Sequence, residues 1–82
     1  MNWVVYILRC SDGSYYTGIT NNLTKRVATH NRGKGSKYVR SRLPAVVVWS
    51  YDAASRSIAL RIEAEIKTLS HAHKQCLIDS IR

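Results

Sequence analysis

The chain has 82 residues, 13 Lys plus Arg against 5 Asp plus Glu, and a formal net charge of +8. That length fits one domain, residues 1–82, with a small core. With no run apolar and long enough to cross a membrane and no signal peptide evident, a cytosolic, cytoplasmic protein with no membrane partner is expected.

Two cysteines, Cys10 and Cys76, are too few for a disulfide framework and lack metal-ligand spacing. Both are expected to be reduced, packed thiols.

Val4-Val5-Tyr6-Ile7-Leu8 is a continuous apolar run, the pattern of a strand buried on both faces. Ser11-Asp12-Gly13-Ser14 is a turn signal, and Tyr15 to Ile19 is aromatic and β-branched, so it reads as the returning strand. A three-residue loop, Ser11-Asp12-Gly13, with the glycine left-handed, sets Leu8 opposite Tyr16 and Tyr6 opposite Gly18. In that register Tyr6 and Tyr16 share a face, and Gly18 leaves space beside the Tyr6 ring. A two-residue Asp12-Gly13 loop would shift the register by one and split the tyrosines between faces. The three-residue loop is the expectation. Taken alone, the two tyrosines are more simply read as filling a core.

Asn21 or Asn22 caps a helix starting near Leu23. Leu23 and Val27 mark its apolar stripe, His30 falls between them on the wheel, and Arg26 sits at the stripe's edge. Arg26 and His30 are four apart, so they are neighbours on adjacent turns. This helix therefore turns a cation and an imidazole toward the sheet. Gly33-Lys34-Gly35-Ser36 ends it, Ser36 to Ser41 suits a short helical turn, and Pro44 stops that turn. Ala45 to Tyr51 is expected to be a third strand, apolar on both faces, with Trp49 in the core.

Ser55 or Ser57 caps a further helix to about Leu69, with Ile58, Ile62, Ile66 and Leu69 as its core stripe and Glu63 and Glu65 flanking it on opposite sides. Ser70 caps a last helix from His71 to about Ile81, with Leu77, Ile78 and Ile81 apolar. His71 and His73, two apart and expected to be exposed, make a poor metal pair. The fold class is α+β: a small three-stranded sheet flanked by helices, in the order β-β-α-β-α-α.

Lys25, Arg26, Arg32, Lys34, Lys37, Arg40 and Arg42 occur with no acid among them. A one-sign stretch of this kind attracts phosphate backbones and gives salt-dependent binding. Tyr38 stands among these charges, positioned to stack on a base or sugar. Lys25, Arg32, Lys34, Lys37, Tyr38, Arg40 and Arg42 are thus the candidate nucleic-acid contacts. The only element suited to groove entry is the Gly33–Arg42 loop, so binding to backbone and shape, rather than to base sequence, is expected.

This set of residues, in this order, resembles the GIY-YIG nuclease domain, and more narrowly its small stand-alone, UPF0213-like members. The first family motif stands here as Val4-Val5-Tyr6 and the second as Tyr16-Thr17-Gly18. The family's helix arginine and histidine fall on Arg26 and His30. Ala59-Leu60-Arg61-Ile62-Glu63-Ala64-Glu65-Ile66-Lys67 resembles the helix carrying its metal-binding glutamate, at Glu63. Both motifs depart, Gly-Ile to Val4-Val5 in the first and Ile to Thr17 in the second, and both keep the tyrosines. Many family nucleases carry an Asn after the metal glutamate. Here no Asn follows Asn31, and Lys67 and Gln75 are the polar residues at hand.

The resemblance implies a metal-dependent DNA endonuclease, structure-selective in some members. Its catalytic residues would be Tyr6, Tyr16, Arg26 and His30, with Glu63 holding one divalent cation, Mg²⁺ or Mn²⁺. DNA, double-stranded or branched, is the implied partner, with RNA as the alternative. The departures favour a second reading, a nucleic-acid-binding module that keeps the fold but turns over little.

Overall fold

The computed structural model describes residues 2–80. Strands β1 (Trp3–Arg9) and β2 (Tyr15–Thr20) form an antiparallel hairpin, and β3 (Val46–Ala53) pairs antiparallel with the other edge of β1. The strand order is β2-β1-β3, so β1 is central. Its apolar run is explained by that position, because Val5, Tyr6, Ile7 and Leu8 are all fully buried. The hairpin adopts the three-residue loop. Cys10 and Ser14 face each other through the Cys10 N–H donating to the Ser14 carbonyl at 2.9 Å, and Gly13 takes a φ of +84°. Leu8 accordingly faces Tyr16, and Tyr6 faces Gly18.

Each sheet face has its own core. On one face Val5, Ile7, Trp49 and Ala53 meet Ala59 and Ile66 of α3 (Arg56–Lys67) and Ile78 of α4 (His71–Ser80). On the other, Tyr6, Leu8 and Cys10 meet Val39 of α2 (Lys37–Arg40) and Ala45, with Leu23 and Val27 of α1 (Leu23–Asn31) packed alongside. Burying one such aliphatic side chain stabilises the fold by about 1.5–3 kcal/mol. The small residues, Ala45, Ala53 and Ala59, let helix and sheet backbones approach.

Three expectations are corrected. The third strand is not buried on both faces. As an edge strand it leaves Val46 at 56% and Tyr51 at 49% exposure, although Trp49 is in the core as expected. A bulge between Ile7 and Leu8 also shifts its register against β1. The α3 stripe is rotated: Ala59 is fully buried, Ile66 nearly so, and Ile58 is exposed. An Ala in the contact lets the helix sit close to the sheet, and the rotation carries Glu63, on the Ala59 side, inward. Cys10 is a buried thiol, whereas Cys76 is exposed, and both are free. Ile81 lies outside the described residues.

Caps fix the helix ends that matter for the site. Asn22 caps α1, its side chain accepting from the Lys25 N–H at 3.1 Å. At the other end the Gly33 N–H donates to the His30 carbonyl and the Lys34 N–H to the Thr29 carbonyl, with Gly33 at φ +77°. This is a Schellman motif, which needs the left-handed glycine. It turns the chain sharply back, so that Gly35 lies on the ring of His30. Ser55 caps α3, accepting from the Ile58 N–H at 3.2 Å.

Candidate nucleic-acid-processing site

The site is built around the pair Tyr6 and Gly18. Tyr6 is fully buried at the centre of β1, and a Cβ added at Gly18 would lie 2.6 Å from its hydroxyl oxygen and 3.2 Å from the Tyr16 ring. Only glycine accommodates both tyrosines there. His30, also fully buried, comes down from α1 to place Nε2 3.0 Å from the Tyr6 hydroxyl. Its ring stands edge-on to Tyr16, with centroids 5.3 Å apart, while Tyr6 and Tyr16 are 6.4 Å apart. On the other side of the imidazole the backbone of Gly35 is so close that any side chain would collide with Nδ1. The His30 ring is thereby held by a hydroxyl at one nitrogen and by a glycine at the other.

Arg26 lies one turn before His30 and is half-buried. Its Nε is buried and has no hydrogen-bond partner among the described residues, and the same holds for His30 Nδ1 and the Thr17 hydroxyl. Buried polar atoms are ordinarily satisfied, so the buried, unpartnered Arg26 Nε is where a ligand's atoms would complete the bonding.

Burial pushes the Tyr6 phenol above its usual range; the Arg26 guanidinium acts against this, while Tyr16 and the Glu63 carboxylate reinforce it. Glu63 on α3 is thus within electrostatic reach of Tyr6. Burial lowers the His30 pKa, and Arg26 lowers it further, so the imidazole is held neutral. Glu63 pairs with Lys67 one turn on, Nζ to Oε2 3.4 Å, and keeps 17% of its side chain exposed. Among the described residues no group of three or more His, Cys, Asp or Glu side chains comes together.

The other predicted contacts divide in two. Lys25, Arg32, Lys34, Lys37, Tyr38 and Arg40 are exposed. Arg42 instead has its charge engaged within the fold. It pairs with Asp12 at 3.0 Å, donates to the Tyr38 carbonyl at 2.9 Å, and lays its guanidinium 3.9 Å from the Tyr38 ring centroid. Asp12, accepting from Ser14 and paired with Arg42, has its carboxyl held below the usual range. Arg42 therefore ties the hairpin turn to α2 and orients Tyr38, whose ring in turn stacks on Tyr16 at 6.3 Å and 27°.

Beside this cluster a groove of about 270 Å³ runs over the outer edge of β2, lined by Tyr15, Tyr16, Thr17, Tyr38, Lys67 and Lys74. Lys74, Tyr15 and the floor residue Thr17 were not candidates from sequence. Their signal was weak, because the three meet only when the α3–α4 corner folds over β2. Tyr15 is held by donating to Gln75 and stacking on His71, whose Nε2 lies 3.1 Å from the Gly13 carbonyl oxygen.

The match to the GIY-YIG catalytic domain extends over residues 2–75. The chain belongs to the GIY-YIG family. It is 49% identical over 75 residues to the UPF0213 protein SH2523 of Staphylococcus haemolyticus, covering 92% of each chain. It is also 48% identical to the UPF0213 protein VNG_2274C of Halobacterium salinarum, covering 89% of this chain and 95% of that one. The solution structure of the UPF0213 protein BH0048 from Bacillus halodurans superposes with a TM-score of 0.63 at 44% identity, covering 96% of this chain and 84% of that one. That of EF2693 from E. faecalis gives 0.68 at 31% identity, covering 99% and 86%. Fold and subfamily thus agree with the sequence motifs. A GIY-YIG domain suggests nuclease chemistry and a nucleic-acid ligand. No helix of the described residues is long and apolar enough to cross a membrane.

Proposed function

We propose that the protein is a divalent-metal-dependent endonuclease that hydrolyses phosphodiester bonds in DNA. The observation that carries this reading is the buried Tyr6–His30 hydrogen bond beside Tyr16 and the unpartnered Arg26 Nε.

Phosphodiester hydrolysis needs an attacking water, a counter-charge for the phosphoryl oxygens and help for the leaving oxygen. Arg26 suits the second task. Its planar guanidinium offers paired donors to a phosphate, which a lysine cannot reproduce, and its Nε has no competing partner among the described residues. Tyr6 suits the first, since its hydroxyl is fixed by His30 and can orient water, or take the water's proton as it passes its own to His30 Nε2. The neutral imidazole, with Nε2 on the Tyr6 hydroxyl, is placed to take that proton. Tyr16 closes the aromatic wall that keeps bulk water from this pair.

Glu63 is the residue that would hold Mg²⁺ or Mn²⁺. A lone, partly exposed carboxylate fits a hard cation that retains several waters and takes further oxygens from the substrate. When bound, such a cation neutralises phosphoryl charge and acidifies a coordinated water. Lys67 stands on that carboxylate and must yield to it.

The Lys67–Glu63 pair, with no Asn following Asn31, favours one second reading: a nucleic-acid-binding module without turnover. The two separate on cleavage of end-labelled duplex and branched DNA with Mg²⁺. The nuclease reading expects products from wild type and a loss of at least about tenfold in Arg26→Lys, the cost of a charge-assisted bond. Cleavage unchanged in that variant would remove Arg26 from the mechanism.

A further inference from the structure

The outer edge of β2 runs under the groove that carries Lys67 and Lys74. The outer edge of β3 has no strand beside it, and none of its backbone groups is taken up by a turn or loop hydrogen bond among the described residues. At 8 residues β3 is also the longest strand. Exposed edges are ordinarily blunted by a lysine or a proline, because an unpaired ladder accepts another strand. Val46–Ala53 holds no Lys, Arg or Pro. Its bulge lies at one end, opposite Ile7 and Leu8, and leaves Trp49–Ala53 in regular register with β1.

The direction of the free groups follows from the hairpin. The Cys10 N–H donates to the Ser14 carbonyl, so the alternation of an antiparallel ladder turns the polar groups of Leu8, Tyr6 and Val4 toward β2 and those of Ile7 and Val5 toward β3. Their partners Trp49 and Tyr51 therefore point inward, and Ser50 and Asp52 present N–H and C=O groups outward. Neither sheet face is overhung here. Ser50 and Asp52 are exposed on the Tyr6 face and Tyr51 on the opposite one.

We propose that this edge pairs antiparallel with the same edge of a second copy, Ser50 opposite Ser50, in a two-fold dimer with one continuous six-stranded sheet. Two features select a second copy as the occupant. The strand is complementary to itself: this register joins outward-facing groups at Ser50 and sets Tyr51 of each copy against Trp49 of the other, an aromatic pair on one face. The contact closes at two copies. Charge agrees, because residues 45–55 carry no Lys or Arg in a chain of net charge +8, so the copies meet where their repulsion is weakest. Directly opposed residues share a face, so both Tyr6–His30 clusters lie on the same side of the sheet. Three strand spacings then separate the two β1 strands, about 14 Å. This dimer does not depend on the nuclease reading.

The test is sedimentation of the full chain in low and high salt, as a concentration series reaching about 1 mM, the weak end of specific affinity. The weight-average mass is expected to rise from 9.3 kDa toward twice that value, and to do so at lower concentration in high salt, where like-charge repulsion is screened. Ser50→Lys sets two ammonium groups against each other at the axis and should hold the mass at 9.3 kDa, with an unchanged circular dichroism spectrum. In a Cys76→Ser background, Ser50→Cys should form an intermolecular disulfide on mild oxidation, because opposed Cα atoms of a hydrogen-bonded pair lie about 5.5 Å apart. Asp52→Cys in the same background should not. A wild type that stays at 9.3 kDa throughout would overturn the proposal and leave the edge to a strand of another protein. Association that survives Ser50→Lys, or a disulfide formed by Asp52→Cys and not by Ser50→Cys, would overturn it by placing the contact elsewhere.

Discussion

Gly18 is where the site is most sensitive to a single atom. Its Cβ would press on the Tyr6 hydroxyl at 2.6 Å and on Cζ at 2.8 Å, and neither is a loose surface group. Gly18→Ala should destabilise the fold by about 1–3 kcal/mol, as overpacking does, read as a lower urea midpoint. The same change in a Tyr6→Phe background should cost less, because the nearest atom is gone. Equal costs would mean that the clash is relieved elsewhere.

His30 adds a pH effect. Its folded-state pKa is depressed by burial, so below about 6.5, the ordinary histidine value, the unfolded chain takes up a proton that the folded chain refuses. Stability is thus fully present above that value and is lost as pH falls through the window down to the folded-state pKa. Urea midpoints should drop between about pH 7 and about pH 5, and His30→Gln should flatten that slope. An equal slope in the variant would show that other groups carry it. The sequence placed His30 on the apolar stripe but could not show Gly35 lying against it. That contact depends on how far the Schellman turn folds back, which no spacing rule gives.

Among the elements, α1 is tied to the start of β3 through one side chain. Asn31 donates to the Ala45 carbonyl at 3.0 Å and accepts from the Ala45 N–H at 2.9 Å, standing in for a strand partner. Ala45 is buried, so Asn31→Ala leaves two backbone groups unpaired and should cost about 1–3 kcal/mol, measurable by chemical denaturation. A loss within error would imply that water reaches Ala45. Asn31 drew no attention as a motif residue, because its partner is 14 positions away. The elements themselves were legible where chemistry is local: the hairpin from Ser11-Asp12-Gly13, α1 from Asn21 or Asn22, of which Asn22 is the cap, and α3 from Ser55 or Ser57, of which Ser55 is. What sequence could not supply was which apolar strand is central. Val4–Leu8 and Ala45–Trp49 look alike, yet β1 pairs on both edges and β3 leaves Tyr51 exposed. The rotation of α3 escaped for a related reason: Ile58 is the more apolar residue, but the fully buried Ala59 permits the closer approach.

At the scale of the molecule, a chain of net charge +8 places Lys25, Arg32, Lys34, Lys37 and Arg40, all exposed, on α1, α2 and the loop between them, with Lys67 and Lys74 adding the far side of the β2 groove. The tyrosine–histidine cluster therefore lies between two positive borders that draw a phosphate backbone across it. Binding should be electrostatic and tolerant of sequence, while hydrolysis should depend on one carboxylate. The most direct test is cleavage of duplex, nicked, branched and single-stranded DNA by wild type and Glu63→Ala, each with Mg²⁺, Mn²⁺ or EDTA. Cleavage by wild type that requires metal, and its loss in Glu63→Ala with DNA binding retained, is the predicted result. Cleavage that persists in EDTA or in Glu63→Ala, or tight salt-sensitive binding with no cleavage of any substrate, would contradict a metal-dependent nuclease built on Glu63.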